Sequence, residues 1–148
     1  MKALIQRVNR AKVTIDGEVA GEIKKGILVL LGVGQKDDEK DADYLVDKIT
    51  QLRIFPSETS GFDQSLEDVK GDLLVVSQFT LYGSTKKGRR PDFTASARPE
   101  LAERLYDHFI KKACEKGFTV ATGRFGAMMD VELVNDGPVT LMMESKSD

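Results

Sequence analysis

The sequence predicts an α+β fold, in which a largely antiparallel β-sheet or barrel carries two packed helices. Apolar and polar residues alternate near the start, two later stretches show the period of amphipathic helices, and the final third returns to strand-like patterns. The resulting order is three strands, a helix, a strand, a helix and two strands. This order differs from the regular alternation of a βαβ protein.

The first elements are strands joined by tight turns. Residues 4–9 alternate across a ribbon, and an Asp16-Gly17 pair follows the next apolar run, which is a strong signal for a two-residue hairpin. Residues 18–23 would form the returning strand, Lys24-Lys25-Gly26 would turn again, and residues 27–31 would form a buried strand. These segments predict an antiparallel start to the sheet.

Two amphipathic helices are predicted. From residue 37 to residue 52 the apolar residues follow one stripe, and acidic residues occupy the first turn, where the helix dipole favours negative charge. A second helix begins near Pro99, a residue suited to the first helical position, and ends at Gly117. Its inward-facing residues are Leu101, Leu105, Phe109 and Ala113.

The remaining segments complete the sheet. Residues 57–70 are polar and loop-like, whereas residues 72–82 form the most strand-like segment of the chain. Further strands are predicted at residues 118–122, 130–134 and 139–143, with a turn between the last two.

Length and composition restrict the class of protein. A chain of 148 residues, 41% of them hydrophobic, can bury a core as one domain, residues 1–148. The net charge of -2 does not indicate a polyanion binder, although a local basic patch still could bind one. One Cys and one His exclude an internal disulfide and a multi-His or thiolate zinc site, so we predict no metal and no cofactor. The longest apolar run is too short to span a membrane, and the expected location is the cytoplasm.

Polar residues near the end of the most strand-like segment are the first candidates for chemistry. In a strand, Ser77 and Phe79 would share one face, and Gln78 and Thr80 would share the other. A strand that emerges into solvent is the simpler interpretation, and a ligand for these polar groups is the alternative. A nucleophilic hydroxyl needs a base beside it, and the only His, His108, is better explained as a structural residue of the second helix. A small-molecule serine hydrolase is therefore disfavoured.

A basic segment follows shortly after these polar residues. It places four cations in five positions, which suits either a solvated loop or contact with the phosphates of a nucleic acid. Tyr82, Phe79 and Phe93 are close enough in sequence to stack on a base of such a substrate. The cations are Lys86, Lys87, Arg89 and Arg90.

Two glycine-containing segments carry weaker signals. Asn135-Asp136-Gly137-Pro138 holds an X-Pro bond, which can be cis at low cost, so it is either a plain turn or a rigid edge of main-chain atoms. Gly32-Val33-Gly34-Gln35 lacks the third Gly or the Lys-Ser/Thr continuation of a nucleotide-binding loop.

Together these segments resemble the D-aminoacyl-tRNA deacylase family over essentially the whole chain. Two family signatures, Ser77-Gln78-Phe79-Thr80 and Gly137-Pro138-Val139-Thr140, stand intact at the expected separation. Asp63 and Met128 depart from the common family pattern, which leaves the details of the pocket rim open. Other matching segments are Ile5-Gln6-Arg7-Val8, Leu52-Arg53-Ile54-Phe55, Lys87-Gly88-Arg89-Arg90-Pro91 and Thr122-Gly123-Arg124-Phe125-Gly126-Ala127.

The resemblance implies a homodimer that hydrolyses the ester between a D-amino acid, or glycine, and the terminal adenosine of tRNA. It implies active sites at the subunit interface, where a cis Gly-Pro edge from one subunit enters the pocket of the other. The catalytic residues would be Ser77, Gln78, Phe79 and Thr80. Chiral selection would use Gly137, Pro138, Arg7, Phe125 and Met129. Phosphates of the tRNA would be held by Lys86, Lys87, Arg89 and Arg90.

A mechanism follows from this resemblance. Backbone N–H groups of Phe79 and Thr80 would bind the oxyanion, and water assisted by the 2′-hydroxyl of the tRNA would attack the ester. Carbonyl groups of Gly137 and Pro138 would hold the substrate ammonium and leave no space for an L side chain. A non-catalytic RNA-binding dimer is the alternative from another functional class.

Overall fold

The computed structural model describes residues 1–146. The strands within this range are β1 (Lys2–Ile15), β2 (Glu18–Ile23), β3 (Gly26–Gly32), β4 (Asp72–Ser77), β5 (Val120–Thr122) and β6 (Asp130–Glu144). The helices are α1 (Glu39–Gln51), α2 (Leu66–Val69) and α3 (Pro99–Glu115), and a 3-10 turn spans Phe79–Tyr82 directly after β4. The α+β prediction is confirmed, with one short helix more than expected.

The long strand β1 organises the sheet. One edge of β1 pairs with β6, and the other edge pairs with β3 through residues 2–8 and with β2 through residues 11–15. The predicted hairpin at Asp16-Gly17 is confirmed, with φ of 50° and 80° at the two residues. The second predicted reversal, at residues 24–26, is wrong. Because β2 and β3 are both antiparallel to β1, they continue in one direction along the same edge.

The other half of the sheet is parallel, which corrects the expectation of a largely antiparallel sheet to a mixed one. β4 pairs in parallel with both β3 and β5. Parallel neighbours need a long crossover, and α1 and α3 lie in these two connections. Leu28 and Val29 are both fully buried although they point to opposite faces, as expected for strands covered on both sides.

The sheet curls until its two ends approach each other. A Cβ atom placed on Gly21 of β2 would lie 2.4 Å from the carbonyl oxygen of Thr122 in β5, so the bare backbone of glycine permits this approach. The curled sheet forms a nearly closed barrel. One core fills the barrel interior, and a second lies between the sheet and the helices.

Three boundaries differ from the sequence prediction. The strand predicted for residues 72–82 ends at Ser77, and the chain then enters the 3-10 turn. The predicted loop at residues 57–70 contains α2, which begins after a capping box formed by Ser65 and Asp68. The two final strands are one strand, β6, whose pairing with β1 shifts register between Gln6 and Arg10 instead of turning.

The two main helices agree with the prediction and pack against each other. Leu105, Phe109 and Ala113 of α3 are buried, as expected, and α3 begins at Pro99. His108 of α3 lies 2.8 Å from the carboxylate of Asp43 in α1, which supports its structural interpretation. In the described part of the chain, no helix has the length and apolar character needed to cross a membrane.

Candidate active site

The parallel strands bring three loops to one edge of the sheet. Because β3, β4 and β5 run in the same direction, the segments that follow them begin at the same edge. These segments are residues 32–35, 77–82 and 123–127. Thr122 pairs with Val75, so residue 124 is level with Ser77. The predicted neighbourhood of the first signature and residues 122–127 is thereby explained by a pairing that the sequence did not reveal.

The first signature forms the 3-10 turn, Phe79–Tyr82, which we call the signature turn. Gln78 precedes it and donates its backbone N–H to Leu31 of β3 at 2.8 Å, which fixes the start of the turn on the sheet. Phe79 and Thr80 supply the first two N–H groups of the turn, which have no acceptor within it. Both residues are exposed, so these donors lie where a substrate oxygen can reach them.

The side chains of the signature do not alternate across a strand as predicted. The amide nitrogen of Gln78 instead donates to the hydroxyl of Thr80, so these two polar groups contact each other directly. Ser77 is half-buried at the end of β4, opposite Leu31. The only His bonds to Asp43, so the hydroxyl of Thr80 has an amide partner and not a general base.

Aromatic rings hold both ends of the signature turn. Phe93 packs edge-to-face on Phe79, with ring centroids 5.1 Å apart, and 54% of Phe79 remains exposed. At the other end, the ring of Tyr82 lies against Gly34 and carries the ammonium group of Lys2 at 4.9 Å. Of the three aromatic residues predicted to stack on a base, Tyr82 is therefore occupied in packing, whereas Phe79 keeps a free surface.

Asp37 connects the end of this turn to β3 and to both ends of the described chain. Its carboxylate accepts the N–H of Gly34 at 2.6 Å, the α-amine of Met1 at 2.8 Å and the ammonium of Lys146 at 3.0 Å. The hydroxyl of Tyr82 lies 3.5 Å from the same carboxylate. Burial, followed by the negative charge of Asp37, raises the pKa of Tyr82, so its hydroxyl stays protonated and donates.

The predicted basic segment, residues 86–90, is an exposed loop beside the signature turn, and we call it the basic loop. Ser84 and Asp92 close it through two backbone hydrogen bonds of 2.8 and 2.9 Å. Phe93 follows immediately, so its contact with Phe79 joins the root of the loop to the turn. Within residues 1–146 the four cations form no ion pairs and therefore remain available to an anionic ligand. They are Lys86, Lys87, Arg89 and Arg90.

Residues 135–140, which we call the Gly-Pro segment, form a distortion within β6. The bond between Gly137 and Pro138 is cis. Asn135 spans the segment: its side-chain oxygen accepts the N–H of Val139 at 3.1 Å, and its amide donates to Thr140 at 2.9 Å. Both Gly137 and Pro138 are exposed. The segment therefore presents main-chain atoms at the surface.

Arg7 braces this segment from beneath. Its Nε donates to the carbonyl oxygen of Asp136 at 3.1 Å, and its Nη1 donates to the carbonyl oxygen of Ile54 at 2.6 Å. A Cβ atom at Gly137 would lie 2.8 Å from Nη2 of Arg7, so the guanidinium lies directly against the glycine. Only 7% of Arg7 is exposed, which makes these bonds the principal partners of a buried charge.

Phe125 and Met129 lie at the edge that carries the signature. Phe125 packs against the ring of Tyr106, with centroids 6.0 Å apart. The hydroxyl of Tyr106 donates to Val75 of β4 at 2.9 Å, and burial, with the charge of Asp107 second, raises the pKa of Tyr106 to about 12. Met129 covers Gly123, since a Cβ atom there would lie 2.5 Å from the methionine sulfur. Both residues help to shape the pocket edge.

One chain does not bring the two signatures together. Ser77 is level with Leu31, Ala3 and Met143 on the successive strands β3, β1 and β6. Pro138 is therefore three strands away and five residues along β6. With strands about 4.8 Å apart and about 3.3 Å per residue, this amounts to roughly 20 Å along the sheet.

The sequence reasoning missed two residues and found a third only through the resemblance. Strand alternation places Arg7 on the same buried face as Ala3 and Ile5, and a charge on such a face is the signal that marks it. Asn135 before a Gly-Pro pair is a turn-forming residue whose side chain bonds to nearby backbone. Asp37 carries no comparable signal, because its partners come from distant parts of the chain.

Comparison with known proteins gives a consistent result. The family model described as D-Tyr-tRNA(Tyr) deacylase matches residues 4–144. The chain belongs to this family. Curated relatives named D-aminoacyl-tRNA deacylase include one from Clostridioides difficile (strain 630), 57% identical over 98% of this chain and 97% of the relative. Another, from Thermosipho melanesiensis, is 55% identical over 99% of this chain and 98% of the relative.

Two solved structures share the fold of this family member. One, titled "c-Myc DNA Unwinding Element Binding Protein", has a TM-score of 0.92 and 41% identity, and the match covers 99% of this chain and 100% of that one. The other, titled "Structural Analysis of a probable eukaryotic D-amino acid tRNA deacylase", has a TM-score of 0.83 and 19% identity over 97% of this chain and 98% of that one. The second likeness concerns the fold alone.

Proposed function

We propose that the protein hydrolyses the ester bond of D-aminoacyl-tRNA and releases the free D-amino acid and tRNA. Family membership, together with an exposed signature turn and a braced Gly-Pro segment, supports this activity. The arrangement of Arg7 under the Gly-Pro segment carries most weight, because a buried guanidinium is used there to position bare main-chain atoms. The enzyme would act in the cytoplasm in translation quality control, and glycyl-tRNA mischarged on tRNA-Ala would also be a substrate.

The active form is a homodimer in which each subunit completes the site of the other. The separation of the two signatures along the sheet supports this arrangement, since one chain cannot close its own pocket. Within residues 1–146, β1 is the only strand paired with β6, which leaves one long edge of β6 open to a second copy. Exposed apolar residues on β6 suit such an interface. They are Val131, Val134, Leu141 and Met142.

Chiral selection rests on exclusion. Carbonyl groups of Gly137 and Pro138 hold the substrate ammonium, and their position leaves no space for the side chain of an L-amino acid. A D side chain points out of the pocket, so its identity has little effect. Glycine has no side chain to exclude and is therefore accepted. A main-chain edge suits this role because it is held by Arg7 and Asn135 and cannot rotate away as a side chain would.

Cleavage uses water and no covalent intermediate. The oxygen of water attacks the ester carbonyl carbon, N–H groups of Phe79 and Thr80 stabilise the oxyanion, and the bond to the 3′ oxygen of the tRNA breaks. The adjacent 2′-hydroxyl of the tRNA assists the attack, and the 3′ oxygen receives a proton. Ser77 and Gln78 position the signature turn, through pairing with β3 and through the Gln78–Thr80 contact. The pocket walls are completed by Phe125 and Met129.

The basic loop binds phosphates at the acceptor end of the tRNA. Its four exposed cations lie beside the signature turn, so a backbone held by them would bring the terminal adenosine to Phe79 and Thr80. The exposed ring of Phe79 offers a surface on which a base can stack.

One assay tests the function. The protein is incubated with matched D- and L-aminoacylated tRNA and with a simple amino-acid ester that lacks RNA. Release from the D-aminoacyl-tRNA alone is expected. Release from neither tRNA ester would favour the non-catalytic RNA-binding dimer, and hydrolysis of the simple ester at a similar rate would favour an ordinary esterase. Sedimentation of the protein should give twice the mass of one chain.

A further inference from the structure

We propose that Gly32 and Gly34 form a seat that sets the position of the signature turn, and that Tyr82 is the positioning residue held in it. The inference rests on the proposed function, because it assigns to these residues the alignment of the oxyanion donors. The segment was set aside as a nucleotide-binding loop, and neither its glycines nor Tyr82 belongs to the two signatures.

The backbone of the turn lies directly on Gly32. A Cβ atom there would lie 3.0 Å from the carbonyl oxygen of Gln78 and 3.2 Å from Cβ of Leu81. These two atoms belong to the turn itself or to the residue that opens it, so any side chain at position 32 would push the turn outward. Because Gln78 is also bonded to Leu31, the turn cannot rise without straining its attachment to β3.

Gly34 makes room for the ring of Tyr82 at the other end. A Cβ atom at position 34 would lie 2.9 Å from Cζ and from Oη of this ring. The backbone N–H of Gly34 also donates to Asp37, whose carboxylate faces the Tyr82 hydroxyl. Ring, glycine and carboxylate therefore fix the last residue of the turn.

The opposite end has its own support, which makes the function of the seat specific. Phe93 packs on Phe79 and against Gly83, and thus restrains the turn from the solvent side. The glycine seat supplies the opposing surface on the sheet side. Between the two supports lie the N–H groups of Phe79 and Thr80, and a shift of a few tenths of an ångström there changes their aim at the oxyanion.

Four variants and a matched control test the inference in the full-length protein. Gly32→Ala is expected to lower kcat for D-aminoacyl-tRNA about ten-fold with KM changed less than about two-fold, because alignment and not tRNA binding is altered. Gly61→Ala is the control, since a Cβ atom there meets nothing within 4 Å. A kcat for Gly32→Ala equal to that of Gly61→Ala would overturn the inference.

A double-mutant cycle provides the second test. Gly34→Ala should lower kcat in the wild-type background and have no further effect in a Tyr82→Leu background, where the ring is gone. Equal losses in both backgrounds would refute the assignment of Tyr82 to the seat. This cycle also decides the matter if thermal melting shows that Gly32→Ala does not fold.

A readout independent of activity separates this inference from the proposed function. Amide NMR signals of Phe79 and Thr80 should shift in Gly32→Ala and stay in place in Gly61→Ala. If the wild-type protein does not deacylate D-aminoacyl-tRNA but these signals shift, the proposed function fails while the seat remains supported. If the wild-type protein is active and the signals do not move, the seat alone fails.

Discussion

Replacing Arg7 with Met should destabilise the protein and weaken its chiral discrimination. The substitution keeps the apolar volume of the side chain and removes its donors. Carbonyl oxygens of Ile54 and Asp136, bonded at 2.6 and 3.1 Å, then lose their partner. A buried polar group left without a hydrogen bond costs about 1–3 kcal/mol, so we expect a loss of roughly 2–5 kcal/mol. The carboxylate of Asp136 is partly solvated and adds little.

The matched control is Arg10→Met on the same strand. Arg10 also bonds to a residue of β6, Glu132, at 3.1 Å, but its side chain is 60% exposed. Exposed ion pairs contribute about 0–1 kcal/mol, so the control should lose little. Urea denaturation followed by circular dichroism measures both variants, and the expected difference corresponds to a melting temperature lower by roughly 5–15 °C for Arg7→Met.

The same two variants should differ in their selectivity. An unbraced Gly-Pro segment can move away from an L side chain, and each loss of about 1.4 kcal/mol in exclusion lowers the D-to-L ratio of kcat/KM ten-fold. Deacylation of D- and L-aminoacyl-tRNA measures this ratio. Equal denaturation midpoints and equal ratios for Arg7→Met and Arg10→Met would refute the role given to Arg7.

Three further outcomes are expected. Thr80→Ala should keep appreciable deacylation activity, because no base contacts this hydroxyl; near-total loss in a folded variant would point to a covalent nucleophile. Alanine at all four cations of the basic loop should weaken tRNA binding and flatten its salt dependence by up to roughly 0.7–0.9 in log–log slope per lost contact, and an unchanged slope would remove the loop from tRNA binding. Although burial opposes the shift, hydrogen bonds from Ser145, the backbone of Asp38 and Lys146 lower the pKa of Asp41 from 3.8 to about 2. The resulting stability is present above pH 3.8 and is lost as the pH falls toward 2, so acid titration should show the wild type and Asp41→Asn converging over that interval.

The sequence identified the elements of the fold better than their pairing. Periodicity located α1, α3 and the hairpin at Asp16-Gly17, because each depends on local chemistry. It placed an antiparallel reversal at residues 24–26, where the chain continues along the same edge of β1. Strand partners depend on contacts between distant segments, and residue patterns do not specify them. The parallel pairing of β3, β4 and β5 was missed for this reason.

The signature turn shows the same limit at the candidate site. Residues 79–82 are aromatic, β-branched and apolar, so they favour a strand on intrinsic preference alone. In the structure, Gly32, Gly34 and Phe93 provide surfaces that fit a 3-10 turn instead. Local preference amounts to less than the packing energy of two aromatic rings, and tertiary contacts therefore decide the conformation. The site residues were found through the two signatures, and their arrangement required the structure.

The antiparallel pairing of β1 with β6 makes the molecule mechanically anisotropic. Lys2 lies opposite Glu144, so the outer ends of the longest ladder are side by side. Tension between these two residues acts along the inter-strand bonds, which then break one rung after another. Tension between Ile15 and Glu144 acts along the strands and loads all rungs at once. The protein should therefore unzip at low force from its outer ends and resist shear in the other direction.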